Sequence, residues 1–129
     1  MTKHVLNMFI SIKNGQKSKK NSIKLYRKSI CESFLKLLWD EGFINGYRII
    51  YCKKAKIEIF LKYSSKGDPA INSIKFISKP GRKVYCSIKQ IWKLDSNKTF
   101  VIFSTIDGLM SIKDCKKKNL GGEPLVVLN

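Results

Sequence analysis

Apolar residues return every three or four positions near the start of the chain, which is the spacing of one face of a helix. The stripe comprises Val5, Met8, Phe9 and Ile12. Gly15 follows it, and because glycine favours the end of a helix over its interior, we expect the helix to stop there. A second helix is predicted to begin at Ser29, which has the capping-box spacing to Glu32, and to end before Gly42.

Alternation of apolar and polar residues predicts strands between and after these helices. One covers residues 23–26 and another covers 57–63. The residues on either side of Asn45-Gly46 have the pattern of two short strands joined by a turn. The order of the first half is therefore α-β-α-β-β, and we place this half at residues 1–64, with a linker at 65–70.

The second half, residues 71–129, is predicted to be mostly β with short helices. Strands are expected at 71–77, 84–85, 99–105 and 125–128, a short helix or turn at 88–94, and a short helix at 111–118. Lys79-Pro80-Gly81-Arg82 has the proline and glycine of a β-turn, and Asp107-Gly108 is a hairpin-type turn. The fold class is therefore α+β, with two small α/β subdomains.

The charge of the chain points to its partner. The 129 residues include 26 Lys and Arg against nine Asp and Glu, which gives a net charge of +17. Positive charges gathered on one face repel one another unless a polyanion neutralises them. A nucleic acid is therefore the leading partner, and an anionic membrane surface or another polyanion is the alternative.

Several other classes of function lack support in the sequence. The four cysteines, at positions 31, 52, 86 and 115, lie too far apart for a zinc site, and we expect reduced thiols. Metal-assisted nuclease chemistry needs clustered carboxylates, and the acids are scattered apart from Asp40-Glu41. The sequence contains no run of 18 apolar residues, so it does not predict a membrane span. We therefore expect no catalytic activity, cofactor, metal, membrane or small-molecule substrate.

Residue usage bears on the origin of the chain. There are 23 lysines against three arginines, together with 17 isoleucines. Lysine and isoleucine have A/T-rich codons, so the bias indicates an A/T-rich genome such as that of an organelle. The first fourteen residues lack the features of a secretory or transit segment, so we expect the chain to begin at or near Met1. Both observations favour the mitochondrial matrix, with a plastid or the bacterial cytoplasm as alternatives.

Five motifs occur in one order along the chain. They are Ile12-Lys13-Asn14-Gly15, Glu41-Gly42-Phe43-Ile44, Ser78-Lys79-Pro80-Gly81-Arg82-Lys83-Val84-Tyr85, Phe103-Ser104-Thr105-Ile106-Asp107-Gly108-Leu109-Met110 and Leu120-Gly121-Gly122-Glu123. Together they resemble the bacterial and organellar members of the universal small-subunit ribosomal protein number eight family, over essentially the whole chain. The resemblance implies two α/β subdomains and direct binding to the central domain of small-subunit ribosomal RNA. It also implies a structural role in subunit assembly beside neighbouring ribosomal proteins, and we do not expect a homo-oligomer.

The resemblance further implies that the loop at 104–108 contacts RNA. The hydroxyls of Ser104 and Thr105 can donate and accept hydrogen bonds, as a ribose 2′-hydroxyl or a base edge requires. Gly108 lets the backbone approach closely, and Ile106 stands where the family usually has another hydroxyl. The alternative is an ordinary hairpin whose hydroxyls satisfy their own turn.

The other candidate RNA contacts are basic, aromatic or polar, apart from one glycine. They are Lys79, Gly81, Arg82, Lys83, Tyr85, Lys113 and Glu123, with Asn14 and Lys17 at the end of the first helix. A rigid basic turn suits phosphates, and an aromatic ring can stack on an unpaired base. A carboxylate can accept from a base amino group. The alternative for these residues is a set of solvated surface charges and a half-buried aromatic.

Overall fold

The computed structural model describes residues 3–77, 81–95 and 99–129. The chain divides into two compact units between Asn72 and Ser73, here called the N-terminal and C-terminal units. The Ser64 N–H donates to the Asp68 carbonyl at 2.7 Å and the Ala70 N–H donates to the Lys62 carbonyl at 3.0 Å. These bonds hold much of the segment 65–70 on the N-terminal unit, and its assignment as a linker stays a prediction.

The N-terminal unit has the predicted order of elements, α-β-α-β-β. They are α1 (Lys3–Lys17), β1 (Ser22–Tyr26), α2 (Ser29–Asp40), β2 (Ile44–Ile50) and β3 (Lys56–Leu61). The strands form an antiparallel sheet in the order β1-β3-β2. Apolar side chains of both helices and of β3 are buried in one core, which includes Met8, Phe9, Ile12, Phe34, Leu35, Leu38, Ile57 and Ile59.

The prediction that Gly15 ends α1 is wrong, because Gly15 lies buried inside the helix. A Cβ placed on Gly15 would lie 2.8 Å from Ile23 Cγ2 and 3.0 Å from Leu61 Cδ1. Glycine at this position therefore lets α1 approach the sheet closely. The helix ends at Lys17, two residues before Lys19, which takes a φ of +59°; the Lys20 N–H donates to the Gly15 carbonyl at 2.9 Å.

The predicted capping box of α2 is also wrong. Lys28 is the N-cap residue and makes no side-chain capping bond, while Glu32 accepts a hydrogen bond from Arg27 Nε at 3.1 Å. The predicted end of α2 is confirmed. Gly42 has a φ of +82°, and its N–H donates to the Trp39 carbonyl at 3.0 Å, so glycine supplies the left-handed residue that closes the helix.

The predicted turn at Asn45-Gly46 is replaced by a bulge inside one continuous strand. Ile44 pairs with Leu61 and Gly46 pairs with Phe60, so Asn45 is an extra residue in β2. The Asn45 side chain donates to the Leu61 carbonyl at 3.1 Å. This bond satisfies an acceptor beside the interrupted ladder.

The C-terminal unit contains four strands and two short helices among the described residues. They are β4 (Ile74–Phe76), α3 (Ile88–Trp92), β5 (Phe100–Thr105), β6 (Gly108–Met110), α4 (Ile112–Lys118) and β7 (Glu123–Leu128). The sheet is antiparallel in the order β4-β7-β5-β6. Its core includes Ile91, Val101, Phe103, Met110, Ile112 and Cys115. The predicted α+β class is confirmed.

Two strand predictions in this unit need correction. The strand expected at 71–77 is shorter, because only Ile74–Phe76 pairs with β7. The strand expected at 84–85 is absent, and Cys86 instead forms an isolated bridge with Gly122. The next residue, Ser87, caps α3 in a capping box with Gln90. In the described part of the chain, no helix has both the length and the apolar character needed to cross a membrane.

Candidate nucleic-acid interface

The loop between β5 and β6 is a tight hairpin. Thr105 pairs with Gly108, so Ile106 and Asp107 form the two-residue loop, one position earlier than the sequence predicted. Ile106 is 90% exposed at its tip. Gly108 has a φ of +109° with open space where a side chain would stand. The tip of the hairpin therefore exposes backbone, the apolar side chain of Ile106 and the side chain of Asp107.

The two hydroxyls of the hairpin differ in their bonding. Thr105 Oγ1 donates to the Gly108 carbonyl at 2.9 Å and accepts from the Asp107 N–H at 3.2 Å. Thr105 thus satisfies its own turn. Ser104 is exposed, and no hydrogen bond from another described residue reaches its hydroxyl. Ser104 therefore keeps its donor and acceptor capacity for a ligand.

Gly121 and Gly122 bring distant parts of the sequence together at this hairpin. Gly122 exchanges both backbone hydrogen bonds with Cys86, at 2.8 and 3.0 Å. A Cβ on Gly122 would lie 2.7 Å from the Ser104 carbonyl oxygen, and one on Gly121 would lie 2.9 Å from the Tyr85 hydroxyl. The absence of side chains on both glycines therefore allows the segment of Tyr85 to pack close to β5.

Glu123 and Tyr85 complete this cluster. Glu123 pairs with Ser104 in the β5–β7 ladder and is half-buried, whereas Tyr85 is 70% exposed. Burial raises the pKa of the neighbouring Cys86 thiol, which disfavours a thiolate there. The structure thus brings together an aromatic ring, the Ser104 hydroxyl and a carboxylate, a set that can stack on a base and hydrogen-bond its edge.

The basic turn before Tyr85 is only partly described. Gly81 has a φ of +82°, which supports the predicted glycine role, and Arg82 and Lys83 are exposed. Lys79 and Pro80, the other residues of the predicted turn, lie outside the described residues. Arg82 and Lys83 are therefore available to an anion.

The lysines of α4 fall into two kinds. Lys113, Lys117 and Lys118 are exposed. Lys116 Nζ instead donates to the Leu94 carbonyl at 2.7 Å and lies 5.5 Å from the centre of the Trp92 ring. Lys116 therefore joins α4 to α3, while the other three remain available to phosphates.

Asn14 and Lys17 are exposed in the last turns of α1, in the N-terminal unit. Asn14 lines a groove of about 480 Å³ together with polar side chains that include Ser11, Ser18 and Lys20. Within the described residues, no group of three or more His, Cys, Asp or Glu side chains has the arrangement of a metal site.

The sequence did not predict that the glycine pair packs against β5 and the segment of Tyr85. It also did not predict the contact between Lys116 and Trp92. The pair Gly121-Gly122 was visible, but its contact with Cys86 joins residues more than thirty positions apart. Four lysines in one short segment gave no sign that one of them is bonded to the protein. Pairing over such distances has no local signal.

Known proteins similar to this chain include members of one ribosomal protein family. Residues 3–128 match the family model described as Ribosomal protein S8. The chain is 40% identical over 126 residues to the small ribosomal subunit protein uS8 of Rickettsia rickettsii, with 95% of this chain and 94% of that protein covered. It is 37% identical over 124 residues to that of Thermodesulfovibrio yellowstonii, with 95% of each covered. The protein of Borrelia hermsii is 38% identical, with 95% and 94% covered.

Proposed function

Because the chain belongs to the ribosomal protein S8 family, we propose that it binds small-subunit ribosomal RNA through the hairpin at 104–108 and the glycine pair beside it. As a member of that family, the protein is a structural constituent of the small ribosomal subunit. We place its target in the central domain of the RNA, where binding supports assembly of the subunit.

One observation carries the proposal, namely that Tyr85 and Ser104 converge on Gly121-Gly122. Bases of duplex RNA are hidden in a deep, narrow groove, so proteins recognise unpaired bases, 2′-hydroxyls and phosphates. In our proposal Ser104 bonds a base edge or a ribose, and Tyr85 stacks. Gly108 and Ile106 meet the RNA backbone, Thr105 holds the turn, and Glu123 accepts from a base amino group.

The charges around this cluster supply the affinity in the proposal. Phosphate contacts position a protein on RNA and add a salt-dependent free energy without reading sequence. Arg82, Lys83 and Lys113 are exposed in the C-terminal unit and take this role, as does Lys79. Asn14 and Lys17 are assigned to a second RNA segment at the end of α1.

The role we propose is structural, without a catalytic step. Partners are the RNA and neighbouring small-subunit proteins, with no cofactor, membrane, small-molecule substrate or second copy of the chain. Incubation of the protein with labelled RNA and Mg²⁺ should leave the RNA intact. Cleavage of the RNA by the purified protein, with the activity lost when a residue of this chain is substituted, would contradict the absence of a catalytic step.

We also propose that this small subunit is mitochondrial. The support is the excess of lysine over arginine, 23 against three, and the 17 isoleucines. The bacterial cytoplasm is the alternative, since the relatives described above are bacterial. Fractionation of cells that make the protein tests this: it should sediment with the small subunit of the organelle, and sedimentation with cytoplasmic ribosomes would contradict the mitochondrial proposal.

Crosslinking tests the RNA-binding proposal as a whole. Ribosomal subunits from cells that make this protein are irradiated, and the peptides crosslinked to RNA are sequenced. Adducts should fall on peptides that contain Tyr85 and Ser104, with the RNA portion from the central domain. Adducts confined to other parts of the C-terminal unit, or none, would contradict it.

A further inference from the structure

The N-terminal sheet has one face covered by α1 and α2 and one face directed away from them. Ile57, Ile59 and Leu61 of β3 are buried on the helix side, so the alternate residues of β3 point to the other side. We call that second surface the outer sheet face. It includes Ser22, Lys24, Tyr26, Arg48, Ile50, Lys56, Glu58 and Phe60, with Lys54 just before β3.

Two aromatic rings on the outer sheet face lie close to cations. Lys56 Nζ is 5.5 Å and Lys54 Nζ is 5.9 Å from the centre of the Tyr26 ring. The Arg48 guanidinium carbon is 5.9 Å from the centre of the Phe60 ring. Tyr26 is nevertheless 60% exposed. A ring that stays accessible beside cations can bind a base and its phosphate together.

The carboxylate on this face is already occupied. Glu58 Oε1 accepts from Arg48 Nε at 2.6 Å and Oε2 accepts from Ser22 Oγ at 3.1 Å, and Glu58 is 7% exposed. Lys24 stands opposite Glu58 in the β1–β3 ladder and is exposed. The outer sheet face therefore presents positive charge to a ligand, with its acid buried beneath it.

We propose that the outer sheet face binds an unpaired stretch of RNA, with bases stacked on Tyr26 and Phe60. Tyr26 pairs with Lys56, four residues from Phe60 along β3, so the two rings lie roughly 14 Å apart along the strands. That separation suits two different bases of an extended strand. Lys24, Lys54 and Lys56 then contact the phosphates. A duplex cannot use these rings, because its bases are stacked on one another.

Charge complementarity selects RNA over a protein as the occupant. The cations of the face, Lys24, Lys54, Lys56 and Arg48, surround two rings and one buried carboxylate. A polyanion neutralises such a cluster along its length, whereas an apolar protein surface would leave the three lysines, Lys24, Lys54 and Lys56, without anionic partners. The inference concerns the N-terminal unit and does not depend on the hairpin at 104–108.

The test uses the full chain and a twelve-nucleotide oligouridylate, which forms no duplex. Fluorescence anisotropy at fixed salt should show that Tyr26→Leu and Phe60→Leu each weaken binding by about tenfold, as loss of one stacked base predicts. Tyr51→Leu is the matched control, because Tyr51 is 78% exposed in the loop after β2. Tyr51→Leu should bind as the wild type does, and Ser104→Ala is measured beside it to report any binding at the hairpin.

Three outcomes would overturn the inference. Unchanged affinity in both Tyr26→Leu and Phe60→Leu would do so, as would an equal loss in Tyr51→Leu. Loss in Ser104→Ala alone would place the oligonucleotide on the hairpin. That result would leave the proposed function intact. Failure of the protein to bind a ribosomal RNA helix would contradict the proposed function without contradicting this inference.

Crosslinking of the wild-type chain tests the inference without requiring that the substituted variants fold. An oligouridylate that carries 4-thiouridine is irradiated with the protein, and the adducts are mapped. The peptides that contain Tyr26 or Phe60 should carry the label. Labelling confined to other peptides, or no labelling at all, would contradict the inference.

Discussion

Arg48 lies directly opposite Glu58 in the antiparallel β2–β3 ladder and donates its Nε–H to Glu58 Oε1 across 2.6 Å. This hydrogen bond is the main cause that lowers the pKa of the Glu58 carboxyl, and the Ser22 hydroxyl acts in the same direction. The pair thus keeps a carboxylate ionised under a basic surface. The same side chain, Arg48, also lies over the Phe60 ring.

Acid should weaken the N-terminal unit through this pair. The pKa of Glu58 is lower in the folded chain than its ordinary value of 4.5, so the pair stabilises the fold above that pH. The stabilisation is lost as pH falls through the folded-state pKa. Urea unfolding followed from neutral pH to about pH 3 should show this loss, and Arg48→Gln should reduce it. Arg82→Gln, an exposed cation in the other unit, is the control; an acid-side loss unchanged in Arg48→Gln would contradict the assignment.

Gly122→Ala should destabilise the C-terminal unit. The added methyl would lie 2.7 Å from the Ser104 carbonyl oxygen and 2.9 Å from Thr105 Cγ2, so backbone must move. We expect a loss of about 1–3 kcal/mol in the free energy of unfolding, typical of overpacking. RNA binding should weaken with it. Gly81→Ala, where the space is open but φ is +82°, should cost less, about 1 kcal/mol. A neutral Gly122→Ala would show that the two segments are not held closely.

Gly15→Ala should destabilise the N-terminal unit although alanine is the better helix former. Helix propensity favours alanine by about 1 kcal/mol. The new methyl would, however, lie 2.8 Å from Ile23 Cγ2, on a β-branched side chain with little rotamer freedom. Thermal unfolding of Gly15→Ala, Ile23→Ala and the double variant should give a favourable coupling in the double variant, because the smaller residue relieves the contact. Additive effects would contradict close packing at this position.

The lysines of α4 should separate into binding and structural residues. Lys113→Gln should reduce the slope of log K against log salt for RNA binding by something under one unit, with little change in thermal stability. Lys116→Gln should lower the thermal midpoint, because Lys116 bonds Leu94 and contacts Trp92. Titration with RNA at several salt concentrations, beside thermal unfolding, checks both. A lower thermal midpoint in Lys113→Gln, together with a reduced salt slope and unchanged stability in Lys116→Gln, would contradict the structure.

Periodicity predicted the order of elements in the N-terminal unit, because helices and strands of this length bury one face each. The errors lie where a contact distant in sequence decides the local conformation. Gly15 continues a helix because the sheet lies against it, and Asn45 bulges because β3 pairs across it. The sequence contains the Ser87-Gln90 capping box, which begins directly before the short helix or turn expected from residue 88.

In the candidate site, too, some features could be predicted from the sequence and others could be found only from the structure. The resemblance to a family pointed to Ser104 and Thr105, but only the structure shows that Thr105 bonds its own turn. Alternation along β1 and β3 puts Tyr26 and Phe60 each on one side of its strand. It does not tell which strands pair or in what register, so their common face could not be predicted from sequence alone.

Selective binding by the hairpin is measured most directly with two RNAs of equal length. One is a transcript of the central domain of the small-subunit ribosomal RNA and the other is a random duplex, and both are titrated with the protein above about 200 mM salt. The wild type should prefer the ribosomal transcript. Ser104→Ala should reduce that preference about fivefold, as loss of one hydrogen bond predicts, without changing the salt slope. Equal affinity of the wild type for both RNAs would contradict recognition by the hairpin.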